Sequence, residues 1–230
     1  DGVFSSIFDF KQTMLGQEGK GWFDHTLPTA DELKESIFQA HERADRIGVL
    51  STIIENHDEP RGVSHYIAEG PVNDTSKKAL GTIQVLRKGI PFIYQGQEIG
   101  MENQVFESVE DFDDIATING YHVAKEAGLS EEEALAAIAK YSRDNARTPM
   151  QWSAEAGLGF SDGPAWLISP KPNIAINVED QEKDPNSILN YYRQLTALYR
   201  HPLYGNTIRF GDMIPSYRDR ENIIAFERRG

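Results

Sequence analysis

Cysteine is absent from the 230-residue sequence, which excludes disulfides and thiolate metal sites. Cations are scarce, since 23 Lys and Arg face 36 Asp and Glu for a net charge of −13. With no basic stripe to follow phosphates or anionic lipids, we expect neither nucleic acid nor a membrane as partner. The sequence also lacks an apolar run near the roughly 20 residues of a membrane span, and a signal-type leader. We therefore predict a cytoplasmic location.

Apolar stretches and helical patterns alternate along the first part of the chain. Residues 3–10, 49–54 and 90–94 are rich in Phe, Ile and Val and are predicted strands. Thr29 with Glu32 forms a capping-box pattern that opens a helix predicted to reach Gly48, and another helix is predicted from near Asp74 to Gly89. Strands that alternate with helices predict an α/β fold with a parallel sheet.

The later part of the chain is less regular. Residues 95–184 are predicted to be a long loop insertion that contains one acidic helix, opened by Ser130 and ending near Tyr141. Asp184-Pro185 is predicted to begin the last helix. The tail, at 207–210 and 222–228, alternates like strands, so we predict one unit at 1–202 and the start of a β domain at 203–230.

Three short strings of polar residues follow predicted strands or lie in the insertion. They are Asn56-His57-Asp58-Glu59-Pro60-Arg61, Tyr94-Gln95-Gly96-Gln97-Glu98 and Arg143-Asp144-Asn145-Ala146-Arg147-Thr148-Pro149-Met150-Gln151-Trp152. Together they resemble the α-glucosidase branch of the α-amylase superfamily, glycoside hydrolase family 13. The resemblance implies a partial (β/α)8 TIM barrel, strands six to eight with their helices, followed by the start of a C-terminal β-sandwich. It covers nearly all of this chain but under half of a typical member.

The resemblance also implies roles for individual residues. Retaining glycosidases need a nucleophilic carboxylate and an acid carboxyl about 5 Å apart, and in this family both precede the part matched here. Asp58 matches a third carboxylate that stabilises the transition state, and His57 a donor to the same sugar edge. Arg143 and Asp144 match a pair whose Arg closes the glucose subsite and binds an Asp from early in the barrel, outside the part matched here. Arg61 belongs to the same binding set.

Several of the residues matched to the family also have a plainer structural interpretation. Asp58 suits a turn cap, Arg143 and Asp144 suit a surface ion pair, and Lys20 suits a solvated loop. Lys20 matches a family lysine that contacts the second sugar, except that Gly21 separates it from Trp22.

Two further positions depart from the family strings. Ala116 stands where relatives have a Glu that contacts the leaving-group sugar, which predicts relaxed or altered linkage preference. Gln97 stands where many relatives carry a second Glu, while Glu98 and Arg147 are predicted to be structural.

The resemblance therefore predicts the later part of a retaining, exo-acting α-glucosidase that cleaves terminal α-1,6 or α-1,4 bonds of short oligosaccharides. Without the upstream nucleophile and acid, this piece is expected to be inactive. The expected partners are an oligosaccharide and the remainder of the barrel, with no cofactor or metal. Trehalose-6-phosphate hydrolase, sucrose isomerase and a non-catalytic binding subunit remain alternatives. A phosphorylated sugar would need more cations than Lys20 alone.

Overall fold

The computed structural model describes residues 4–45, 48–67, 72–167, 169 and 171–230. Three short strands form a parallel sheet in the order β1-β2-β3. They are β1 (Ser6–Phe8), β2 (Val49–Thr52) and β3 (Ile90–Pro91). Ile7 lies opposite Leu50, and Ser51 lies opposite Ile90. The predicted parallel sheet is therefore present, with strands shorter than predicted; Val3 lies outside the described residues.

Helices account for most of the regular structure. Within the described residues the α-helices are α1 (Ala30–Ala44), α2 (Gly62–Tyr66), α3 (Asp74–Leu86), α4 (Ile115–Glu126), α5 (Glu131–Tyr141), α6 (Val178–Lys183), α7 (Ile188–Tyr199) and α8 (Gly205–Phe210). Short 3-10 helices occupy Gln12–Met14, Trp22–Asp24, Gln97–Ile99, Val109–Asp111, Arg143–Ala146 and Ala156–Gly159.

The first helices form where local signals place them. The Thr29 hydroxyl accepts the Glu32 N–H, and the Glu32 carboxylate accepts the Thr29 N–H, so the predicted capping box opens α1. Asn73 caps α3 in the same reciprocal way with Ser76. Both helices end a few residues before the predicted glycines, and Ile47, predicted in the first helix, lies outside the described residues.

Gly89 allows β3 to approach β2. Its φ is +138°, and a Cβ there would lie 2.6 Å from the Leu50 carbonyl oxygen. Glycine avoids both the strained backbone and the clash. Beyond Pro91, which has no N–H to donate, the Phe92 N–H donates to the Thr52 carbonyl at 2.9 Å and extends the pairing.

The structure differs from the predictions at three places. The segment 95–184 contains α4 and α6 in addition to the predicted helix α5, and α4 packs against α5. The last long helix begins after the cap Ser187 rather than at Asp184-Pro185. Residues 207–210 lie in α8 and not in a strand, while 222–228 only partly coincides with β5 (Ala225–Arg229), which pairs antiparallel with β4 (Asp212–Ser216).

The main core lies between the sheet and the helices that follow its strands. Leu33, Ile37 and Phe38 of α1 pack with Ile54 and Leu80, and Met213 of β4 joins the same cluster. Arg218, in the β4–β5 loop, donates to Glu35 and Glu42 of α1 at 2.7 and 2.6 Å. The β4–β5 hairpin thus packs directly on α1; whether it opens a separate β-sandwich stays a prediction.

Apolar side chains remain exposed along the sheet. Phe8, Phe10, Phe92 and Ile93 are 43, 53, 47 and 36% exposed, and Ile7 is 49% exposed. Parallel sheets are normally covered on both faces, so this surface is typical of a sheet that lacks some of its packing partners. In the described ranges, no helix is both long and apolar enough to cross a membrane.

Candidate active site at the carboxyl ends of the strands

A pocket of about 390 Å³ opens where the three parallel strands end. The wall is formed by Phe8 at the end of β1 and by residues that follow each of the three strands, because parallel strands bring their carboxyl ends to one edge of the sheet. The lining residues are Phe8, Phe10, Ile53, Glu55, Asn56, His57, Asp58, Glu59, Phe92, Ile93 and Tyr94. Apolar walls with a few polar groups at one side are typical of small-molecule sites.

A tight turn presents Asp58 to this pocket. The Asn56 side-chain oxygen accepts the Asp58 N–H at 2.7 Å, which fixes the backbone directly after β2. The Asp58 side chain is 52% exposed, and its Oδ2 lies 3.2 Å from Nε2 of His57, itself 70% exposed. An imidazole and a carboxylate therefore face the pocket side by side and remain open to a ligand.

Two guanidinium groups hold the other oxygen of Asp58. Oδ1 lies 3.0 Å from Nη1 of Arg143 and 3.1 Å from Nη2 of Arg147. Arg147 also donates from Nε to the His57 carbonyl at 2.9 Å. The planar fork of an arginine can make such contacts at fixed angles, so the pair restrains both the carboxylate and its turn.

Arg147, for which the sequence predicted a structural role, contacts the Asp58 carboxylate directly. Its spacing of four from Arg143, across the 3-10 helix Arg143–Ala146, lets both side chains reach one carboxylate. The repeated arginine in Arg143-Asp144-Asn145-Ala146-Arg147 was a signal that could have indicated this.

A second carboxylate, that of Asp114, holds the guanidinium of Arg143 in position. Asp114 Oδ1 lies 2.7 Å from Nε and 2.6 Å from Nη2 of Arg143, while Oδ2 accepts the N–H and hydroxyl of Thr117, both at 2.9 Å. Burial would raise the pKa of Asp114, but the hydrogen bonds from Arg143 and Thr117 outweigh it and hold that pKa below its usual range. The same Asp114 contact raises the pKa of Arg143. Asp114 therefore caps α4 and also positions Arg143, the arginine that contacts Asp58.

Asp144 lies outside the pocket wall. Its side chain is fully buried, and Oδ2 accepts the backbone N–H groups of Asp113 and Asp114 at 2.9 Å each. It forms no ion pair with Arg143, and its nearest described cation is Arg147 at 4.0 Å. The described contacts of Asp144 therefore support the start of α4, and its predicted contribution to substrate binding stays a prediction.

Arg61 also lies outside the pocket wall. Its guanidinium is 0% exposed, 3.2 Å from the Glu55 carboxylate, and it donates to the carbonyl oxygens of Gln95 and Asn145 at 2.7 and 3.3 Å. Burial raises the pKa of Glu55, with Arg61 opposing the rise. Arg61 therefore ties the turn after β2 to the segments after β3 and at Asn145, and it does not reach the pocket surface.

The remaining predicted residues lie around these contacts. Lys20 is exposed in its loop, where its backbone N–H donates to Asp24 at 3.0 Å, and it does not line the pocket. Gln97 is buried and donates to Tyr192 at 2.8 Å. One oxygen of Glu98 is buried with no hydrogen-bond partner among the described residues. Ala116 is exposed in the first turn of α4, two residues from Asp114.

No grouping of three or more His, Asp or Glu side chains suited to a metal ion occurs among the residues that the structure describes. The polar groups of the pocket are instead paired with one another. Such a set can accept and donate hydrogen bonds to hydroxyls and can place negative charge beside a developing cation.

Comparison with known proteins agrees with this arrangement. Residues 4–203 match the family described as alpha amylase, catalytic domain. The chain is 40% identical over 195 residues to probable oligo-1,6-glucosidase 2 of Bacillus subtilis (strain 168), covering 84% of this chain and 35% of that protein. It is 35% identical to trehalose-6-phosphate hydrolase of the same strain, covering 76% and 31% of the two chains.

A solved structure, isomaltulose synthase from Klebsiella sp. LX3, superimposes with a TM-score of 0.85 at 30% identity, covering 95% of this chain and 39% of that one. The chain therefore spans about a third of the length of the curated relatives it matches. The parallel strands bring a His-Asp pair to a common pocket, and residues 4–203 match the family of the alpha-amylase catalytic domain. The chain therefore belongs to that family, as part of its barrel.

Proposed function

We propose that this chain forms the glucose-binding side of a retaining, exo-acting α-glucosidase that cleaves terminal α-1,6 or α-1,4 bonds of short oligosaccharides. The observation that carries the proposal is the Asp58 carboxylate, held on one oxygen by Arg143 and Arg147 yet half exposed in the pocket. In this proposal β1, β2 and β3 are barrel strands six, seven and eight. The remainder of the barrel covers the exposed face of the sheet.

Asp58 acts in this scheme as a transition-state stabiliser. Retaining hydrolysis builds positive charge on the sugar ring, and a preorganised carboxylate near that ring stabilises it. The two arginines orient Asp58 before substrate arrives, and His57 donates to a hydroxyl of the same sugar. Oriented groups need no reorganisation as the charge develops.

The nucleophile and the acid come from outside the 230 residues. A third carboxylate by itself cannot form the glycosyl–enzyme bond, so the isolated chain is proposed to be inactive. Lys20 is proposed to contact the second sugar, and Ala116 to relax the preference for the leaving group. The proposed compartment is the cytoplasm, and no cofactor enters the chemistry.

Sucrose isomerisation is a second candidate, favoured by the superposition on isomaltulose synthase. Trehalose-6-phosphate hydrolysis is supported by the similarity to a named hydrolase of that substrate. Against it, the described cations in ion pairs with acidic residues that line the pocket are Arg61, Arg143 and Arg147, and each is already engaged by Glu55 or Asp58. A non-catalytic binding subunit is the alternative of a different class.

The test uses the parent enzyme, meaning a polypeptide that contains this chain together with the upstream barrel strands. It is assayed on isomaltose, maltose, sucrose and trehalose 6-phosphate, with Asp58→Asn as the matched variant. We expect glucose from isomaltose or maltose and a loss in kcat/KM of at least about 100-fold in the variant.

The other outcomes separate the candidates. Isomerised sucrose without glucose release indicates the second candidate, and reaction of the phosphorylated sugar alone indicates the hydrolase of that substrate. No reaction with any of them, together with sugar binding, indicates a binding subunit. Turnover by the isolated 230-residue chain contradicts the proposed inactivity.

A further inference from the structure

Glu59 lines the same pocket as Asp58, directly after it in the chain. Asp58 and Glu59 have different partners. Asp58 is held by Arg143 and Arg147, whereas Glu59 interacts with Thr13 in the short helix after β1. The pocket therefore has a carboxylate on the arginine side and a second carboxyl on the β1 side.

The two carboxyl groups differ in how their charge is balanced. Asp58 has two guanidinium partners, but the ionic neighbour of Glu59 is the Asp58 carboxylate itself. Burial raises the pKa of Glu59 to about 7, a hydrogen bond with Thr13 opposes the rise, and the charge of Asp58 adds to it. The charged form of Glu59 is therefore disfavoured in the absence of bound sugar.

Other ionisable groups lie near Glu59. Tyr66 of α2 is buried close to Glu59, and its hydroxyl has no hydrogen-bond partner among the described residues. The groups that surround Tyr66 in turn are Arg87, Asp9 and Glu55. Arg87 is paired with Asp9, and Glu55 is paired with Arg61, so neither arginine is free to neutralise Glu59.

We propose that Glu59 is a further sugar-binding residue of this pocket, whose carboxylate accepts a hydroxyl hydrogen of the bound sugar on the side away from Arg143 and Arg147. The inference rests on the proposed function, because it assigns a second sugar contact within that site. A neutral sugar suits this position, since its hydroxyls supply donors without bringing charge.

Binding and proton release are then linked. Sugar hydroxyls that donate to Glu59 favour its charged form, so bound sugar lowers the pKa of Glu59 and the free pocket releases a proton when it fills near pH 7. By the same linkage, the affinity of the pocket for sugar rises as pH rises through about 7.

The experiment follows the Glu59 side-chain carboxyl by carbon-13 NMR in the 230-residue chain, titrated with pH in the absence and presence of saturating isomaltose. We expect isomaltose to lower the titration midpoint of Glu59 by roughly one pH unit, equivalent to about tenfold tighter binding to the charged form. Isomaltose affinity is measured at pH 6 and pH 8 from the amide shifts.

Matched variants isolate the contribution of Glu59. Glu59→Gln should bind isomaltose roughly tenfold more weakly than the unmodified chain at pH 8, and by a smaller factor at pH 6. His57 is present in both proteins, so the difference between their pH profiles belongs to Glu59. Glu221→Gln changes an exposed acid in the β4–β5 loop and should leave affinity and its pH dependence unchanged.

The outcomes separate this inference from the proposed function. If isomaltose moves the signals of His57 and Asp58 but leaves the midpoint of Glu59 unchanged or raises it, the role of Glu59 is wrong and the sugar site stands. If isomaltose moves none of these signals at any pH, the sugar site itself is wrong. Loss of the native amide spectrum in Glu59→Gln is checked first, and the midpoint measurement on the unmodified chain then decides alone.

Discussion

The ion pairs around the turn at 55–61 fall into two groups, which use the same kinds of side chain but differ in solvent exposure. Arg61 and Glu55 are 0 and 1% exposed, and every described partner of that guanidinium is protein. Arg143 and Asp58 are 38 and 52% exposed, and Asp58 lines the pocket. The buried pair holds the turn in place, and the exposed pair orients a carboxylate that still has room for a ligand.

The comparison shows why residue type alone is a poor guide to function here. Burying an ion pair requires the desolvation of both charges, and removing only one partner strongly lowers the free energy of unfolding. An exposed pair contributes little to stability, because water screens it. Changes in the first group should therefore affect the free energy of unfolding, and changes in the second should affect sugar binding or catalysis.

The largest expected effect follows from Arg61→Met. It leaves the Glu55 carboxylate buried without its cation, so the free energy of unfolding should fall by about 3–5 kcal/mol. Urea denaturation of the 230-residue chain measures it. The control is Arg193→Met, which breaks an exposed pair with Glu182 and should cost less than about 1 kcal/mol.

Adding Glu55→Gln to Arg61→Met should recover part of the loss, because the unpaired charge is removed. If Arg61→Met were no more costly than the Arg193 control, the distinction between the two groups would be wrong. The double variant also covers the case in which Arg61→Met alone does not fold.

Arg147→Lys tests the exposed group. The lysine keeps the charge but cannot contact both the Asp58 carboxylate and the His57 carbonyl, as Arg147 does at 3.1 and 2.9 Å. In the parent enzyme kcat/KM for isomaltose should fall by roughly 10- to 100-fold. The free energy of unfolding should change by less than about 1 kcal/mol. A large loss of stability with unchanged kinetics would place Arg147 with Arg61 instead.

Asp114→Ala should affect both properties, since Asp114 caps α4 and holds Arg143. We expect the free energy of unfolding to fall by about 1–2 kcal/mol at pH 7. The pKa of Asp114 is lower in the folded state than its usual 3.8, so its stabilisation is complete above that value and is lost as pH falls through the folded-state pKa.

The difference between Asp114→Ala and the unmodified chain should therefore shrink on acidification below pH 3.8. Urea denaturation at pH 7 and at successively lower pH values measures it. A difference that grew on acidification would have the wrong sign for a carboxylate stabilised in its charged form.

The smallest effect is expected for Lys20→Ala. Lys20 is exposed and lies outside the pocket wall, so any contact with the second sugar is well solvated. We expect KM for isomaltose to rise by no more than about threefold in the parent enzyme, with kcat unchanged. A nitrophenyl glucoside, which has no second sugar, serves as the control substrate. A larger rise specific to isomaltose would place Lys20 within the binding site.

Local signals in the sequence predicted the elements whose formation depends on near neighbours. The Thr29 capping box, the Ser130 cap of α5 and the three apolar strands are all found in the structure. Their short-range hydrogen bonds and periodicity need no distant partner. The tail at 207–210 was predicted incorrectly because four alternating residues do not distinguish a strand from one turn of helix.

The sequence by itself determined the parallel α/β architecture, the turn that follows β2 and the strings by which the chain resembles its family. Only the tertiary structure decided which charged groups face the pocket. Arg61 and Arg143 have the same side chain, and no local pattern separates them; the difference is the protein packed around each. Solvent exposure arises from contacts between residues far apart in the chain, such as Arg143 with Asp58, and that long-range packing buries Asp144 and brings Arg147 to Asp58.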